Sequence, residues 1–179
     1  MKSKAVERKL REVIRDIPDF PKPGILFKDI TPILENPVLC REIIDVFLAG
    51  IADQKIDAIL GIESRGFIFG MMLANRLNVP FLIVRKAGKL PYKTVRYSYS
   101  LEYGEAIMEM HIDSVKPGWN VLVHDDLLAT GGTAAAAAEL IHLQGGKTAG
   151  FCFVVELSDL PGRKKLEEYS DKISSLVSF

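Results

Sequence analysis

One stretch in the second half of the chain constrains the fold more than any other, because it contains a strand, a turn and a helix in immediate succession. Val121–Val123 is a short apolar run that predicts a buried strand, and Asp125 and Asp126 stand where that strand would end. Ala129–Thr133, the glycine turn, is small and rich in hydroxyl groups, and Ala134–Gln144 is a strong helix former. This succession predicts an anion site at the start of a helix.

The composition of the glycine turn supports a phosphate as that anion. The first amides of a helix have no partner within the helix, and the helix dipole favours negative charge. Gly131 and Gly132 have no Cβ, so the backbone can approach a phosphate closely, and Thr130 and Thr133 add hydroxyl donors. No lysine follows the glycines, which excludes a Walker A loop. We expect the whole turn to hold the phosphate: Ala129, Thr130, Gly131, Gly132 and Thr133.

Two acids directly before an anion site need a partner other than the phosphate. Sugar hydroxyls or Mg²⁺ are such partners. A 5-phosphoribosyl group meets both demands, with its 5′-phosphate on the glycine turn and its 2′- and 3′-hydroxyls on Asp125 and Asp126. The alternative is a helix N-terminus with acidic capping, which needs one acid at the cap position rather than two acids ahead of the turn.

A second strand–turn–helix unit lies upstream. Ala58–Ile62 predicts a buried strand, Phe67–Leu77 a helix and Phe81–Arg85 the next strand. This β-α-β order implies a parallel sheet in an α/β fold, whose ligands bind beyond the carboxyl ends of the strands. The Glu63–Gly66 turn and the glycine turn should therefore share one rim. The position of Arg65 at that rim favours a contact with an oxyanion over a surface salt bridge.

The N-terminal part combines a helix with a proline-rich apolar segment. The spacing of apolar residues predicts an amphipathic helix over Lys4–Ile17, which Pro18 ends. The prolines of Pro18–Pro32 exclude regular structure over most of that segment, yet its aromatic and aliphatic residues are too apolar for a free linker. We expect a rigid flap packed on the protein, either as a structural arm or as part of a site.

Three cations, Arg85, Lys86 and Lys89, leave the predicted strand at the same rim, where they suit a pyrophosphate. Tyr92–Tyr103 follows; its alternation allows an edge strand, and its length is typical of a lid or a disordered segment. Further strands are predicted at Ala106–Ile112 and Thr148–Val155, and a further helix at Gly162–Tyr169.

Four motifs together resemble one family. Asp125–Thr133 is similar to the 5-phosphoribosyl pyrophosphate (PRPP) motif of the type I phosphoribosyltransferases, in the form found in their adenine-specific branch. Phe20–Ile30 resembles the hood segment of that branch, Glu63–Gly66 its pyrophosphate loop and Ser98–Gly104 its flexible lid. The resemblance extends from Phe20 to about Val155, and three motifs agree in order and spacing, which is more specific than any one of them.

The resemblance implies the type I phosphoribosyltransferase fold, in which helices flank a mostly parallel central sheet. It implies a single domain over residues 1–179, with the hood segment at about 18–35 and the lid loop at about 86–104. A cis peptide bond before Ser64 and a homodimer are further implications of the resemblance.

The implied reaction converts adenine and PRPP into AMP and pyrophosphate, with N9 of the purine attacking C1 of the ribose. On this resemblance Phe27 stacks on the base, while backbone groups of Leu26 and Lys28 read its edge. The residues expected to bind pyrophosphate are Glu63, Ser64, Arg65, Arg85, Lys86 and Lys89.

Catalytic roles are implied for three residues of the rim and lid. Glu102 would accept the purine proton, Tyr103 would help to close the lid, and Arg65 would stabilise the leaving group. Mg²⁺ is expected as a cofactor that enters with PRPP. It would not be held by the protein alone, although it could lie near Asp125 and Asp126.

Two alternative functions and one departure from the family pattern follow from the same motifs. A phosphoribosyltransferase for another purine is disfavoured by the hood, and a PRPP-sensing regulator without catalysis should carry a DNA-binding segment and a basic face. His124 stands before the acid pair, where the family usually has an apolar residue. We expect a structural substitution there.

The remaining composition narrows the partners and the compartment. The formal net charge is zero, which argues against a sequence-independent nucleic-acid or membrane surface, and no apolar run is long enough to span a bilayer. The N-terminus lacks the apolar region of a signal peptide. Cys40 and Cys152 are expected to be unpaired core residues of a cytoplasmic protein. The scattered histidines show no metal-ligand spacing.

Overall fold

The computed structural model of the chain describes residues 2–100 and 105–179. The chain combines strands with helices that lie between several of them, as in other α/β proteins. In chain order the elements are α1 (Lys2–Val13), β1 (Arg15–Ile17), β2 (Phe27–Asp29), α2 (Thr31–Leu34), α3 (Pro37–Gly50), β3 (Ala58–Ile62), α4 (Gly66–Leu77), β4 (Phe81–Lys86), β5 (Thr94–Ser100), β6 (Glu105–His111), β7 (Asn120–Leu128), α5 (Gly132–Leu143), β8 (Lys147–Glu156), α6 (Gly162–Leu166) and β9 (Ile173–Ser178).

The central sheet is mostly parallel, which confirms the predicted fold class. Within the described residues it has seven strands in the order β5-β6-β4-β3-β7-β8-β9. The run from β4 to β9 in that order is parallel. At the other side β6 is antiparallel to β4, and β5 is antiparallel to β6. The central strands β3, β4 and β7 therefore end at one edge, where their carboxyl ends meet.

Helices cover both faces of this sheet, because the central strands are apolar on both sides. Ile59 and Leu122 pack into one core cluster with residues of α1, α3 and α4. Leu60 and Val123 point the other way and pack into a second cluster with α5. The alanines at 134–138 of α5 are all buried, and such small side chains let a helix lie close to the sheet.

Two element boundaries differ from the sequence prediction. The first helix ends at Val13 rather than Ile17, and Arg15–Ile17 forms the short strand β1, which pairs antiparallel with β2. Strand β7 does not end before the acid pair but continues to Leu128. It continues because β8 pairs with it from Asn120 to Leu128. The two acids are therefore strand residues rather than turn residues.

The hood segment contains the short strand β2 and the short helix α2. Between β1 and β2 the hood contains a cis Phe20–Pro21 bond, and the rings of Phe20 and Phe27 meet edge to face at 5.1 Å. The lid region contains the edge strand β5, and residues 101–104 lie outside the described part of the chain. No helix among the described residues is both long and apolar enough to cross a membrane.

Candidate active site

A cavity of about 260 Å³ opens at the carboxyl ends of β3, β4 and β7. The β3–α4 turn, the end of β4 and the acid pair of β7 all contribute to it, so the two turns predicted to share a rim do lie together. The lid strand β5 closes one side. The polar residues that line the cavity are Glu63, Ser64, Arg65, Lys86, Tyr99, Asp125, Asp126 and Thr133.

The glycine turn forms a second, smaller hollow of about 80 Å³ beside this cavity, and Asp125 and Thr133 line both. Gly131 precedes the first turn of α5 with φ +75°, and a Cβ there would meet the carbonyl oxygen of Gly162 at 2.8 Å. Gly132 lies against the ring of Tyr99, which a Cβ would approach to 3.2 Å. The leading amides of α5 therefore stand open at a glycine-lined turn, which is the geometry that binds a phosphate.

The two carboxylates of the acid pair influence each other, and Asp126 is the more deeply buried of the two. The Asp126 carboxylate is almost completely buried and accepts a hydrogen bond from Nε of Arg65. The backbone amide of Asp126 donates to Oδ1 of Asp125 at 2.9 Å. Burial, followed by the negative charge of Asp126, raises the pKa of Asp125 well above its ordinary value. A ligand that brings hydroxyl donors or positive charge would relieve this repulsion.

Arg65 connects the acid pair with the hood. While its Nε donates to Asp126, its guanidinium carbon lies 5.2 Å from the centre of the Phe27 ring. Such a cation–π distance keeps the ring beside the cavity. The peptide bond between Glu63 and Ser64, in the turn that carries Arg65, is cis, as the resemblance implied.

The predicted pyrophosphate cations divide into two groups. Lys86 lines the cavity. Arg85 instead donates from Nη2 to Glu63 at 2.7 Å and from Nη1 to the carbonyl oxygen of Lys89 at 3.0 Å. The hydrogen bond from Arg85 holds the pKa of Glu63 below its ordinary value, despite partial burial. Lys86 lines the cavity, whereas Lys89 is not among the residues that line it. Arg85 and Glu63 instead form a contact that joins two loops.

The side chains of Leu26 and Lys28, which flank Phe27, are not among those that line the cavity. Leu26 is half exposed, while the Lys28 side chain is buried. The ammonium of Lys28 donates to Asp16 at 2.6 Å and lies 3.9 Å from the ring centre of Phe179. Of the three residues expected at the base, Phe27 is the one whose ring lies against Arg65, which itself lines the cavity.

Two residues in or beside the cavity were not predicted from the sequence, and two predicted residues lie outside the described part of the chain. Tyr99 lines the cavity, and its hydroxyl lies 3.3 Å from Oγ1 of Thr133. Glu109 is buried behind the Lys86 turn. The alternation of tyrosines in the lid region was a signal for Tyr99, whereas one acid in an apolar strand gave little signal for Glu109. Glu102 and Tyr103 lie outside the described residues.

Comparison with known proteins identifies the class. The model of the phosphoribosyl transferase domain family matches residues 29–178. The chain therefore belongs to the phosphoribosyltransferase family. Among its relatives, the adenine phosphoribosyltransferase of Sorangium cellulosum is 54% identical over 171 residues, which are 96% of this chain and 86% of that protein. The adenine phosphoribosyltransferase of Anaeromyxobacter dehalogenans strain 2CP-C is 52% identical over 170 residues, covering 95% and 98%.

Solved structures agree with these relatives. The adenine phosphoribosyltransferase from Thermoanaerobacter pseudethanolicus superposes with a TM-score of 0.92 at 47% identity, covering 96% of this chain and 99% of that one. The enzyme from Saccharomyces cerevisiae, solved with an imino-altritol bisphosphate and adenine, gives 0.89 at 41% identity, covering 97% and 99%. The Trypanosoma brucei enzyme, in complex with AMP, pyrophosphate and ribose-5-phosphate, gives 0.87 at 29% identity, covering 97% and 79%.

Proposed function

We infer that this protein acts as an adenine phosphoribosyltransferase, which transfers the 5-phosphoribosyl group of PRPP to N9 of adenine and gives AMP and pyrophosphate. The observation that carries this inference is the position of Arg65, which contacts both Asp126 and the ring of Phe27. The acid pair and the hood ring stand on either side of one guanidinium, as a site for a ribose and its base requires. Relatives that are about half identical over nearly the whole chain have this activity in their names.

The glycine turn and the acid pair are proposed to bind the phosphoribosyl group. The 5′-phosphate lies against Ala129–Thr133, where the first amides of α5 and the hydroxyls of Thr130 and Thr133 donate to it. The ribose 2′- and 3′-hydroxyls lie on Asp125 and Asp126, which line the adjoining cavity. This arrangement fixes C1 of the ribose between the leaving group and the base.

Pyrophosphate departs toward the β3–α4 turn and the end of β4. Ser64, Arg65 and Lys86 line that part of the cavity, so they are proposed to contact the leaving group. Arg85 and Lys89 add positive charge behind them, and Glu63 fixes Arg85. The reacting carbon becomes cation-like as pyrophosphate leaves, so positioned positive charge at the leaving group lowers the barrier.

Adenine is proposed to stack on Phe27, while backbone groups of Leu26 and Lys28 read its edge. Stacking of a base on an aromatic side chain contributes about 1–3 kcal/mol. The engagement of the Lys28 side chain with Asp16 supports a role for its backbone only. Backbone donors and acceptors in fixed positions discriminate a 6-amino from a 6-oxo purine, because the wrong base would leave them unpaired.

The lid and the metal complete the proposal. Glu102 accepts the proton from the purine and Tyr103 closes the site, provided that lid closure removes Glu102 from water. Asp125 and Asp126 offer oxygen donors of the kind that Mg²⁺ prefers, but no cluster of three or more metal-ligating side chains occurs among the described residues. PRPP would supply the other ligands of a bound Mg²⁺, which would neutralise charge on the pyrophosphate group.

A homodimer and a cytoplasmic location belong to the same proposal. The exposed apolar side chains of Ile68 and Met71 on α4 offer a surface for a second copy. Cys40 and Cys152 are both free and buried, which suits a reducing compartment. Analytical ultracentrifugation of the purified protein tests the dimer.

The reaction itself is tested by incubating the protein with PRPP and Mg²⁺ and offering each purine base separately. We expect AMP and pyrophosphate to form from adenine, with little nucleotide from hypoxanthine, guanine or xanthine. Faster turnover of an oxo-purine would replace the assigned base. PRPP binding without any nucleotide would instead favour a PRPP-sensing regulator.

The ribose site is tested by a double substitution, Asp125→Asn with Asp126→Asn. The side chains keep their size, but both negative charges are lost. We expect PRPP binding, measured by calorimetry in the presence of Mg²⁺, to be abolished. PRPP affinity equal to that of the wild type would remove these carboxylates from the site.

A further inference from the structure

A carboxylate with no contact to the cavity lies directly behind the proposed pyrophosphate site. Glu109 is in the middle of β6, and its side chain is 1% exposed. It stands opposite Arg85 of β4 on one side and Arg96 of β5 on the other. A buried charge is unfavourable unless hydrogen bonds satisfy it, so its partners indicate why it is there.

Four donors converge on this carboxylate. The backbone amides of Lys89 and Leu90 donate to its Oε1, each at 3.1 Å. The hydroxyl of Thr94 and Nε of Arg96 donate to its Oε2 at 3.2 and 3.1 Å. Burial raises the pKa of Glu109, but these hydrogen bonds outweigh burial and hold its pKa below the ordinary value. The charged form is therefore the one that the fold retains.

The amides bound by Glu109 belong to the turn at residues 86–90, here called the lysine turn. At its start Lys86 lines the cavity, and its amide donates to Glu63 at 3.0 Å. At its end the carbonyl oxygen of Lys89 accepts from Arg85, which also pairs with Glu63. Glu109 thus holds the far side of a turn whose near side meets the proposed leaving group.

We propose that Glu109 is a positioning residue for pyrophosphate: its carboxylate holds the lysine turn so that Lys86 faces the leaving group. Through Thr94 and Arg96 the same carboxylate also fixes the start of the lid strand β5. The proposal rests on the proposed function, since it needs pyrophosphate as the ligand at Lys86. It predicts an effect on the pyrophosphate side of the site that spares the nucleotide side.

The test is Glu109→Gln, which keeps the size of the side chain but exchanges one acceptor oxygen for a donor. Loss of hydrogen bonds to a charged group predicts about tenfold weaker binding of pyrophosphate with Mg²⁺, measured by calorimetry. Affinity for AMP, which does not reach Lys86 in the proposed complex, should stay within about twofold. Glu105→Gln, an exposed substitution on the same strand, is the matched control and should change neither affinity.

A double-mutant cycle with Lys86→Ala separates positioning from general support of the fold. If Glu109 acts through Lys86, the two substitutions together should weaken pyrophosphate binding no more than Lys86→Ala alone. Additive effects, or equal losses of pyrophosphate and AMP affinity, would overturn the proposal.

Should Glu109→Gln fail to fold, Thr94→Val removes one donor to the carboxylate without changing its burial. Pyrophosphate binding about threefold weaker with unchanged AMP binding is then expected, and unchanged pyrophosphate binding would overturn the proposal. The variants are compared by binding affinity, whereas the proposed function is tested by turnover. If the wild-type protein formed no AMP, that result would therefore count against the proposed function and not against the role of Glu109.

Discussion

Acid sensitivity of the fold should depend on one buried histidine. His124 has 0% of its side chain exposed, and its ring lies edge to face against Phe47 at 5.6 Å. Nδ1 lies 2.9 Å from the carbonyl oxygen of Cys152, while Nε2 has no hydrogen-bond partner among the residues that the structure describes. Burial lowers the pKa of His124 from 6.5 to about 4.

The direction of the effect follows from this lowered pKa. The folded protein binds the proton of His124 more weakly than the unfolded chain does. The stability that the neutral histidine contributes is therefore fully present above pH 6.5, and it is lost as the pH falls toward about 4. Each unit of pKa difference corresponds to about 1.4 kcal/mol. Between about pH 7 and pH 4.5 the free energy of unfolding should therefore fall by roughly 2–3 kcal/mol through this group alone.

The substitution His124→Leu removes the titration while keeping an apolar side chain of similar volume. It also removes the contact with Cys152, so at about pH 7 the variant should be roughly 1 kcal/mol less stable than the wild type. Between about pH 7 and pH 4.5 it should lose roughly 2–3 kcal/mol less than the wild type, so that the variant becomes the more stable protein in acid.

Urea unfolding at both pH values, at one protein concentration, measures this difference. The carboxylates remote from His124 are common to both proteins and cancel in the comparison. Phe47→Leu, which alters the same cluster without removing a titratable group, should keep the acid sensitivity of the wild type. An equal loss of stability in the wild type and His124→Leu would refute the assignment of a buried neutral histidine.

Three further predictions concern the site. Tyr99→Phe removes the hydroxyl beside Thr133 and should weaken AMP binding about threefold to tenfold, with pyrophosphate binding unchanged; calorimetry checks both. Phe27→Ala should raise the KM for adenine at least about fivefold through lost stacking and leave the KM for PRPP nearly constant, as steady-state kinetics would show. Removing divalent metal with EDTA should abolish AMP formation, and Mg²⁺ added in excess should restore it; activity that persists in EDTA would exclude the metal from the reaction.

The central strands were predictable because each is a short, continuous apolar run, which is typical of a buried strand. Ala58–Ile62 and Phe81–Arg85 were predicted within one residue of β3 and β4. The shared rim followed from the rule that parallel strands present their carboxyl ends together. The predicted end of β7 was wrong because two adjacent acids are typical of a strand end. Only the pairing with β8 extends the strand through Asp125 and Asp126.

Contacts between distant elements could not be predicted from a single sequence. The pair of Arg65 with Asp126 and the burial of Glu109 both depend on which strands become neighbours, and the antiparallel additions β5 and β6 have no periodic signal that fixes their place. The same limit applies to Tyr99, whose contact with Gly132 exists because β5 and the start of α5 meet across the sheet edge.

The hood shows how one short strand in a proline-rich segment can fix a base site. Lys28 points into the protein, where Asp16 and Phe179 hold its ammonium, while Phe27 points out to Arg65. Adjacent strand residues must face opposite ways, so burying Lys28 determines where the Phe27 ring stands. In the proposed complex polar recognition of the purine is then left to the main chain of β2. Base specificity should therefore respond more to changes that move this strand, such as the loss of Asp16, than to a change of side chain at Leu26.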